Sequence, residues 1–250
     1  MVETCMEDDQ CRLIVNADDF GLSHLTNVGI MRCRTNGIVT SASLMVRAPA
    51  AREAVDLWRS DRQMSLGLHL ELGEWQYDGT EWKAIYEVVP TFCPDAVRDE
   101  IHRQLSAFRD LVGANPTHLD SHQHVHNGPI VGRELRRVAD ELGVVLRGCD
   151  SRVRFWGAFF GQNEAMTPMP GNISVEGLLA LLKRLPSGTT EMSCHPGLDT
   201  TLNSHYRRER ITEVQTLCHP RVRTRILQAG LKLISFANIP MPKAHLSISE

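Results

Sequence analysis

Residues 12–46 read RLIVNADDFGLSHLTNVGIMRCRTNGIVTSASLMV. The apolar run RLIVNA at 12–17 predicts a strand that ends on the acidic pair Asp18-Asp19. Ser23 is a good helix N-cap, and the spacing predicts a helix from there to Gly37. The β-branched run 38–46 predicts a second strand. A strand, a helix and a strand in this order imply parallel strands joined by a crossover helix.

The same alternation continues outward. Helical patterns are expected across PAAREAVDLWRS (with Pro49 in the first turn), from about Asp95 to Val112, from about Pro129 to Leu142, over 174–184, and over 207–229 with a break near Pro220. Strands are expected at 65–72, 117–120, 143–147, 190–195 and 232–236. Residues 73–92 and 150–170 show no clear period and read as two long loops. About seven parallel strands favour a closed or nearly closed barrel of the TIM type over an open sheet. The 250 residues fit one such barrel, and no linker or repeat divides them, so 1–250 is read as a single α/β domain.

Composition excludes several classes. A 42% hydrophobic share with 23% charged residues is that of a globular chain, not a disordered one. A net charge of -3 draws the protein neither to nucleic acid nor to anionic lipid. No apolar run approaches the length of a membrane span. Seven cysteines, an odd number without CxxC spacing, read as reduced thiols. The opening MVETCMEDDQ is too acidic and polar for a signal peptide. The expectation is a cytoplasmic protein, and a barrel of this size allows a homodimer.

The chemistry lies at the expected strand ends, which in a parallel barrel converge on one face. Asp18-Asp19 closes the first strand and His69 sits in the third. HLDSHQHVH at 118–126 places His118, Asp120, His122, His124 and His126 at period two. His195 ends the 190–195 strand, turned outward by Pro196-Gly197. Each has a plainer reading: a helix-capping acid beside a solvated one, a hydrogen-bonded core histidine, a surface histidine tract, an idle turn residue. Convergence of all of them favours a metal site, because a cation makes adjacent carboxylates favourable. The five residues of the cluster cannot all reach one ion, so the bend after the strand selects one or two ligands. Cys194 alternates away from His195 and is not expected to act as a nucleophile. No G-x-S-x-G elbow, P-loop or G-x-G-x-x-G turn is present.

These segments, NADDFG at 16–21, GLHL at 67–70, THLDSHQHVH at 117–126 and CHPG at 194–197, resemble the YdjC-like carbohydrate deacetylases, as do GIVTSASLMV at 37–46 and FFGQ at 159–162. Well-known members of that family remove acetyl groups from chitooligosaccharides. The resemblance implies a distorted (β/α) barrel holding one divalent metal, with Asp19, His69 and His122 as ligands, Asp18 as general base and His195 as general acid. It implies magnesium, although two imidazole ligands suit zinc or another transition metal better. Asp120 is expected to fix an imidazole tautomer, with His118, His124 and His126 left as supporting or substrate-contacting groups. The substrate implied is a small N-acetylated carbohydrate. Gly197 departs from the alanine of the chitooligosaccharide members, and the middle loops are shorter, which leaves the sugar open.

Trp75, Tyr77, Trp82, Phe155, Trp156, Phe159 and Phe160 in the two long loops suit the apolar faces of sugar rings, or simply pack the loops down. Arg207, Arg208, Arg210, Arg221, Arg223 and Arg225 read as a solvated helix face, or as a site for a phosphorylated sugar. Two rival functions stand beside deacetylation: a metal-dependent phosphoesterase on the same face, and a non-catalytic metal- or sugar-binding protein.

Overall fold

The computed structural model describes residues 10–202 and 204–240; Cys5 and the opening tract up to residue 9 lie outside them. In chain order the elements are β1 (Cys11–Phe20), α1 (His24–Asn36), β2 (Ser41–Leu44), α2 (Ala51–Arg59), β3 (Ser65–Leu70), β4 (Gly73–Tyr77), β5 (Trp82–Glu87), α3 (Pro94–Val112), β6 (His118–Ser121), α4 (Pro129–Leu142), β7 (Val145–Leu146), β8 (Arg154–Trp156), α5 (Val175–Leu182), β9 (Gly188–Cys194), α6 (Arg207–Leu217), α7 (Pro220–Gln228) and β10 (Lys232–Leu233). Local chemistry sets the helix ends. The Ser23 side chain accepts from Thr26 N and Ser174 from Gly177 N, while Gly113 and Gly143 close α3 and α4 in the left-handed conformation.

The main sheet runs β7-β6-β3-β2-β1-β9-β8, all parallel, and β10 pairs with the start of β1. The sheet curls into a distorted, half-open barrel: β7 and β8 form its two edges and are not paired with each other. Residue parity along β1 separates two packed regions. Leu13, Val15 and Ala17 belong to the main core, together with helix residues such as Ile30, Phe108 and Leu135. Ile14 belongs to a second cluster with Val145, Val153, Ile234 and Phe236, which floors the lumen. Above that floor the same parity continues with Asn16 and Asp18, so the lumen turns polar towards the strand C-termini.

The two expected loops carry structure. Residues 73–92 contain the antiparallel hairpin β4–β5, turning at Asp78-Gly79. All six residues of β5 are exposed, so no buried face imposes an apolar alternation that would reveal the strand. Within 150–170, the three residues of β8 add an edge strand to β9. The strands expected at 38–46 and 232–236 are shorter, at Ser41–Leu44 and Lys232–Leu233, and Pro49 precedes α2. The break at Pro220 separates α6 from α7 as expected. Among the described residues, no helix is long and apolar enough to cross a membrane.

Candidate metal and catalytic site

Strand alternation would send adjacent side chains to opposite faces, yet Asp18 and Asp19 both line one cavity. The register of β1 against β2 slips between Ala17 and Phe20, and Asp19 takes φ 64. This bulge turns both carboxylates into the strand-end face.

Asp19 Oδ1 lies 3.3 Å from His69 Nε2 and 3.2 Å from His122 Nδ1. One donor atom from each of the three residues falls within 4.8 Å of the others. Two donors bound at about 2.1 Å to one cation stand roughly 3.0–3.4 Å apart, so the spacing and the mixed N/O chemistry fit a divalent metal. The rest of each side chain is held away from that point. His69 Nδ1 donates to Asp120 Oδ1 at 2.8 Å, His122 Nε2 donates to Glu74 Oε2 at 2.7 Å, and Arg210 Nη2 donates to Asp19 Oδ2 at 2.5 Å. Each ligand candidate thus presents one defined atom. Burial lowers both imidazoles, but Asp120 and Asp19 around His69 reverse this and raise it to about 10. Asp19 and Glu74 likewise raise His122 to about 9.

A second acidic group, Asp18, His69 and Asp120, is filled by a side chain of the protein itself. Arg147, 1% exposed, donates from Nη1 to Asp18 Oδ2 at 2.6 Å, from Nη2 to Asp18 Oδ1 at 2.7 Å and from Nε to Glu191 Oε1 at 2.7 Å, and its Nη2 lies 2.8 Å from Asp120 Oδ2. Burial would raise Asp18, and the Arg147 charge outweighs it, keeping Asp18 below its ordinary value. Glu191 has less help: burial dominates and lifts it to about 7. Asn16 Nδ2 adds a 2.8 Å hydrogen bond to Asp18 Oδ1, and Ser43 Oγ donates to Asp120 Oδ2 at 2.6 Å.

His195 faces this pair, with Nε2 3.7 Å from Asp18 Oδ2 and Nδ1 buried without a hydrogen-bond partner among the described residues. Burial pushes it down to about 4, against the pull of Asp18 and Asp19. Its backbone N donates to Glu213 Oε2 at 2.5 Å, and Glu213 Oε1 accepts from Tyr206 Oη at 2.6 Å. Tyr206 Oη in turn accepts from Gly161 N at 2.6 Å, so one network ties the His195 turn, α6 and the 160s loop together. Cys194 lies on the other side of β9, buried in the main core and donating to Asn16 O.

The histidine cluster divides. After β6 the chain enters a 3-10 turn in which Gln123 and His124 have φ 50 and 52, which breaks the period-two alignment. His122 joins Asp19, and His124 lines the cavity. His118 stands below, its Nε2 3.0 Å from Ser43 Oγ and its ring stacked on Phe236 at 3.8 Å. His126 is held by Ser121 Oγ at 2.5 Å behind the turn. Neither of these two reaches the cavity lining. Gly67 explains its own place in the GLHL segment: a Cβ there would meet the His118 ring at 2.5 Å.

The expectation of a solvated arginine face fails at Arg210, which is 4% exposed. On α6 it faces the strand ends, where the Asp19 carboxylate offsets the cost of its burial. The residues that sequence reasoning did not place beside the aspartates and histidines are Arg147, Glu191, Arg210, Glu213, Tyr206 and Glu74. Arg147 carried a signal, since it follows an apolar strand at the same end as Asp18 and His195. Glu191 carried one too, since it lies at period two from His195 along the same strand, whereas Arg210, Glu213, Tyr206 and Glu74 are polar residues on elements whose inward face the sequence does not mark.

The family model described as YdjC-like protein matches residues 12–228. The chain belongs to the YdjC-like family. Solved structures agree on the fold of this YdjC-like chain. A protein from Enterococcus faecalis V583, named for cellobiose-phosphate cleavage, superposes with TM-score 0.76 at 24% identity, covering 93% of this chain and 100% of that one. A family 4 carbohydrate esterase from Streptomyces lividans in complex with acetate gives TM-score 0.55 at 16% identity, with 93% and 97% covered. The Bc1960 peptidoglycan N-acetylglucosamine deacetylase gives 0.58 at 10% identity, with 94% and 91% covered.

In this YdjC-like barrel the site opens into a cavity of about 980 Å³. Trp75, Gln76, Trp82 and Ile85 of the hairpin form one wall, and Phe160, Gln162, Asn163 and Asn172 another. Of the aromatic residues singled out in sequence, Trp75, Trp82 and Phe160 line it, whereas Phe159 is core and Phe155 lies over the Arg147 guanidinium at 5.2 Å.

Proposed function

We propose that the protein is a metal-dependent carbohydrate N-deacetylase, cleaving the amide of an N-acetylated amino sugar to acetate and a free amine. The observation that carries the reading is the three-atom Asp19–His69–His122 cluster beside the Asp18–His195 pair, at the floor of a large cavity with aromatic and amide walls. Membership of the YdjC-like family and a fold shared with carbohydrate esterases support it.

Asp19, His69 and His122 would hold the ion, which supplies Lewis acidity to the acetyl carbonyl and to the attacking water. The donor set of two imidazoles and one carboxylate favours zinc or another transition metal over magnesium. Asp18, kept ionised by Arg147, accepts the proton of that water as its oxygen attacks the carbonyl carbon. His195, neutral at pH 7, takes up this proton from Asp18 Oδ2, 3.7 Å away, and delivers it to the amine nitrogen as the C–N bond breaks. Trp75, Trp82 and Phe160 offer faces for sugar rings, and His124 offers a polar contact.

A phosphorylated substrate fits less well. Among the described residues, Arg210 is the only Lys or Arg lining the cavity, and Asp19 already engages it. The test is acetate release from N-acetylglucosamine oligomers and glycoconjugates, using protein stripped by chelation and refilled with magnesium, zinc, cobalt or manganese. Metal-dependent acetate that disappears in Asp18→Asn is the expected result; phosphate release without acetate would overturn it.

A further inference from the structure

We propose that the β4–β5 hairpin is part of the metal site, with Glu74 acting as a positioning residue for His122. This rests on the reading of Asp19, His69 and His122 as metal ligands. His122 has its two ring nitrogens on opposite duties. Nδ1 faces Asp19 Oδ1 at 3.2 Å, and Nε2 meets Glu74 Oε2 at 2.7 Å. An ionised carboxylate can only accept, so Glu74 holds a proton on Nε2 and makes Nδ1 the nitrogen that exchanges its proton for a cation. Asp120 does the same for His69 from the opposite ring nitrogen. The two carboxylates differ in origin. Asp120 is buried in the barrel on β6, whereas Glu74 arrives from outside the barrel on β4.

The hairpin is docked where this matters. Trp75 N donates to Gln123 Oε1 at 2.9 Å, and Gln123 Nε2 donates to Trp75 O at 2.7 Å, one residue beyond each member of the Glu74–His122 pair. Gln123 itself sits in the left-handed region, in the turn that sets the His122 ring. On the partner strand, directly across from Glu74, the hairpin is anchored by Tyr86 Oη donating to Glu71. All of β5 is exposed, so the hairpin's apolar packing against the core comes from Trp75 on β4. Trp75 and Trp82 line the cavity from the same hairpin, so the element that orients a metal ligand also forms the substrate wall.

The test is metal affinity, read without catalysis. The stripped full-length protein is titrated with cobalt(II) and with zinc(II) against a chromophoric chelator, as wild type, Glu74→Gln, Glu74→Ala and His122→Ala, with far-UV circular dichroism on each. Glu74→Ala is expected to weaken binding by about 10–100-fold and to change the cobalt visible spectrum. Glu74→Gln, whose amide oxygen still accepts from Nε2, should fall between it and wild type. Wild-type affinity and spectrum in both Glu74 variants, with His122→Ala losing the metal, would overturn this proposal and leave the deacetylase reading intact. If Glu74→Ala does not fold, Glu74→Gln alone decides. A wild-type protein that binds neither metal would overturn the metal-site reading and this proposal with it.

Discussion

Replacing Arg147 with methionine would leave Asp18, Asp120 and Glu191 facing one another in the lumen without their shared cation. Breaking a buried ion pair from one side costs about 3–5 kcal/mol, and urea denaturation of Arg147→Met should show a loss of that order. Asp18→Asn should behave differently. It leaves Arg147 with two carboxylates, so the fold and the cobalt affinity should survive while acetate release falls by about 10²–10⁴-fold. A variant that lost metal as well would refute the separation of the two adjacent aspartates. The sequence could bring Asp18, Asp19, His69, His122 and His195 to one face because acids and histidines at strand ends are conspicuous against apolar runs. Arg147 shares that position at the end of an apolar run, yet an arginine ordinarily reads as solvated; Arg210 has no such mark, and only the assembled barrel shows that it turns inward. The period-two reading of the histidines held only as far as β6, since the two left-handed residues that follow leave no mark in composition.

Helix α1 meets the His195–Gly197 turn through two glycines. A Cβ on Gly29 would lie 2.7 Å from Gly197 Cα, a backbone atom with no room to yield. Gly29→Ala should therefore cost about 1–3 kcal/mol by overpacking and lower turnover by displacing the turn that carries His195. Gly197→Ala should be nearly silent, because its Cβ would meet only Arg210 and Thr26 side-chain atoms at 3.4–3.6 Å. Thermal melts of the two variants should separate clearly, and equal melts would refute the packing argument. The glycine at 197 is therefore not demanded by space, and an alanine would fit there. At this scale the long amphipathic helices and the central strands were readable from periodicity. The β4–β5 hairpin and β8 were not, because one has an exposed strand and the other has only three residues.

The titrating groups give the whole molecule a two-sided pH dependence. His118 is pushed down to about 3, and His124, His126 and His195 to about 4, chiefly by burial. Groups with depressed values contribute stability above the unfolded value near 6.5, and that stability is lost as pH falls towards 4. His69 and His122 carry the opposite sign. Raised to about 10 and about 9, they contribute stability below 6.5, which is lost as pH climbs through 9–10. Chelator-treated protein should melt highest between about pH 6 and 7, and added zinc should flatten the alkaline limb, since ligated imidazoles no longer titrate. A melting curve that rises steadily to pH 10 without metal would contradict this assignment. The seam between β7 and β8 has a further consequence, in the exchange of amide protons. β1 is hydrogen-bonded along both edges, to β9 on one side and to β10 and β2 on the other, so its amides can exchange only when the whole sheet opens. Among the described residues, Val145, Leu146 and Arg154–Trp156 each have one bonded neighbouring strand and an unzipped edge. Deuterium should enter there first and reach the strand of the two aspartates last, marking the order in which the barrel comes apart.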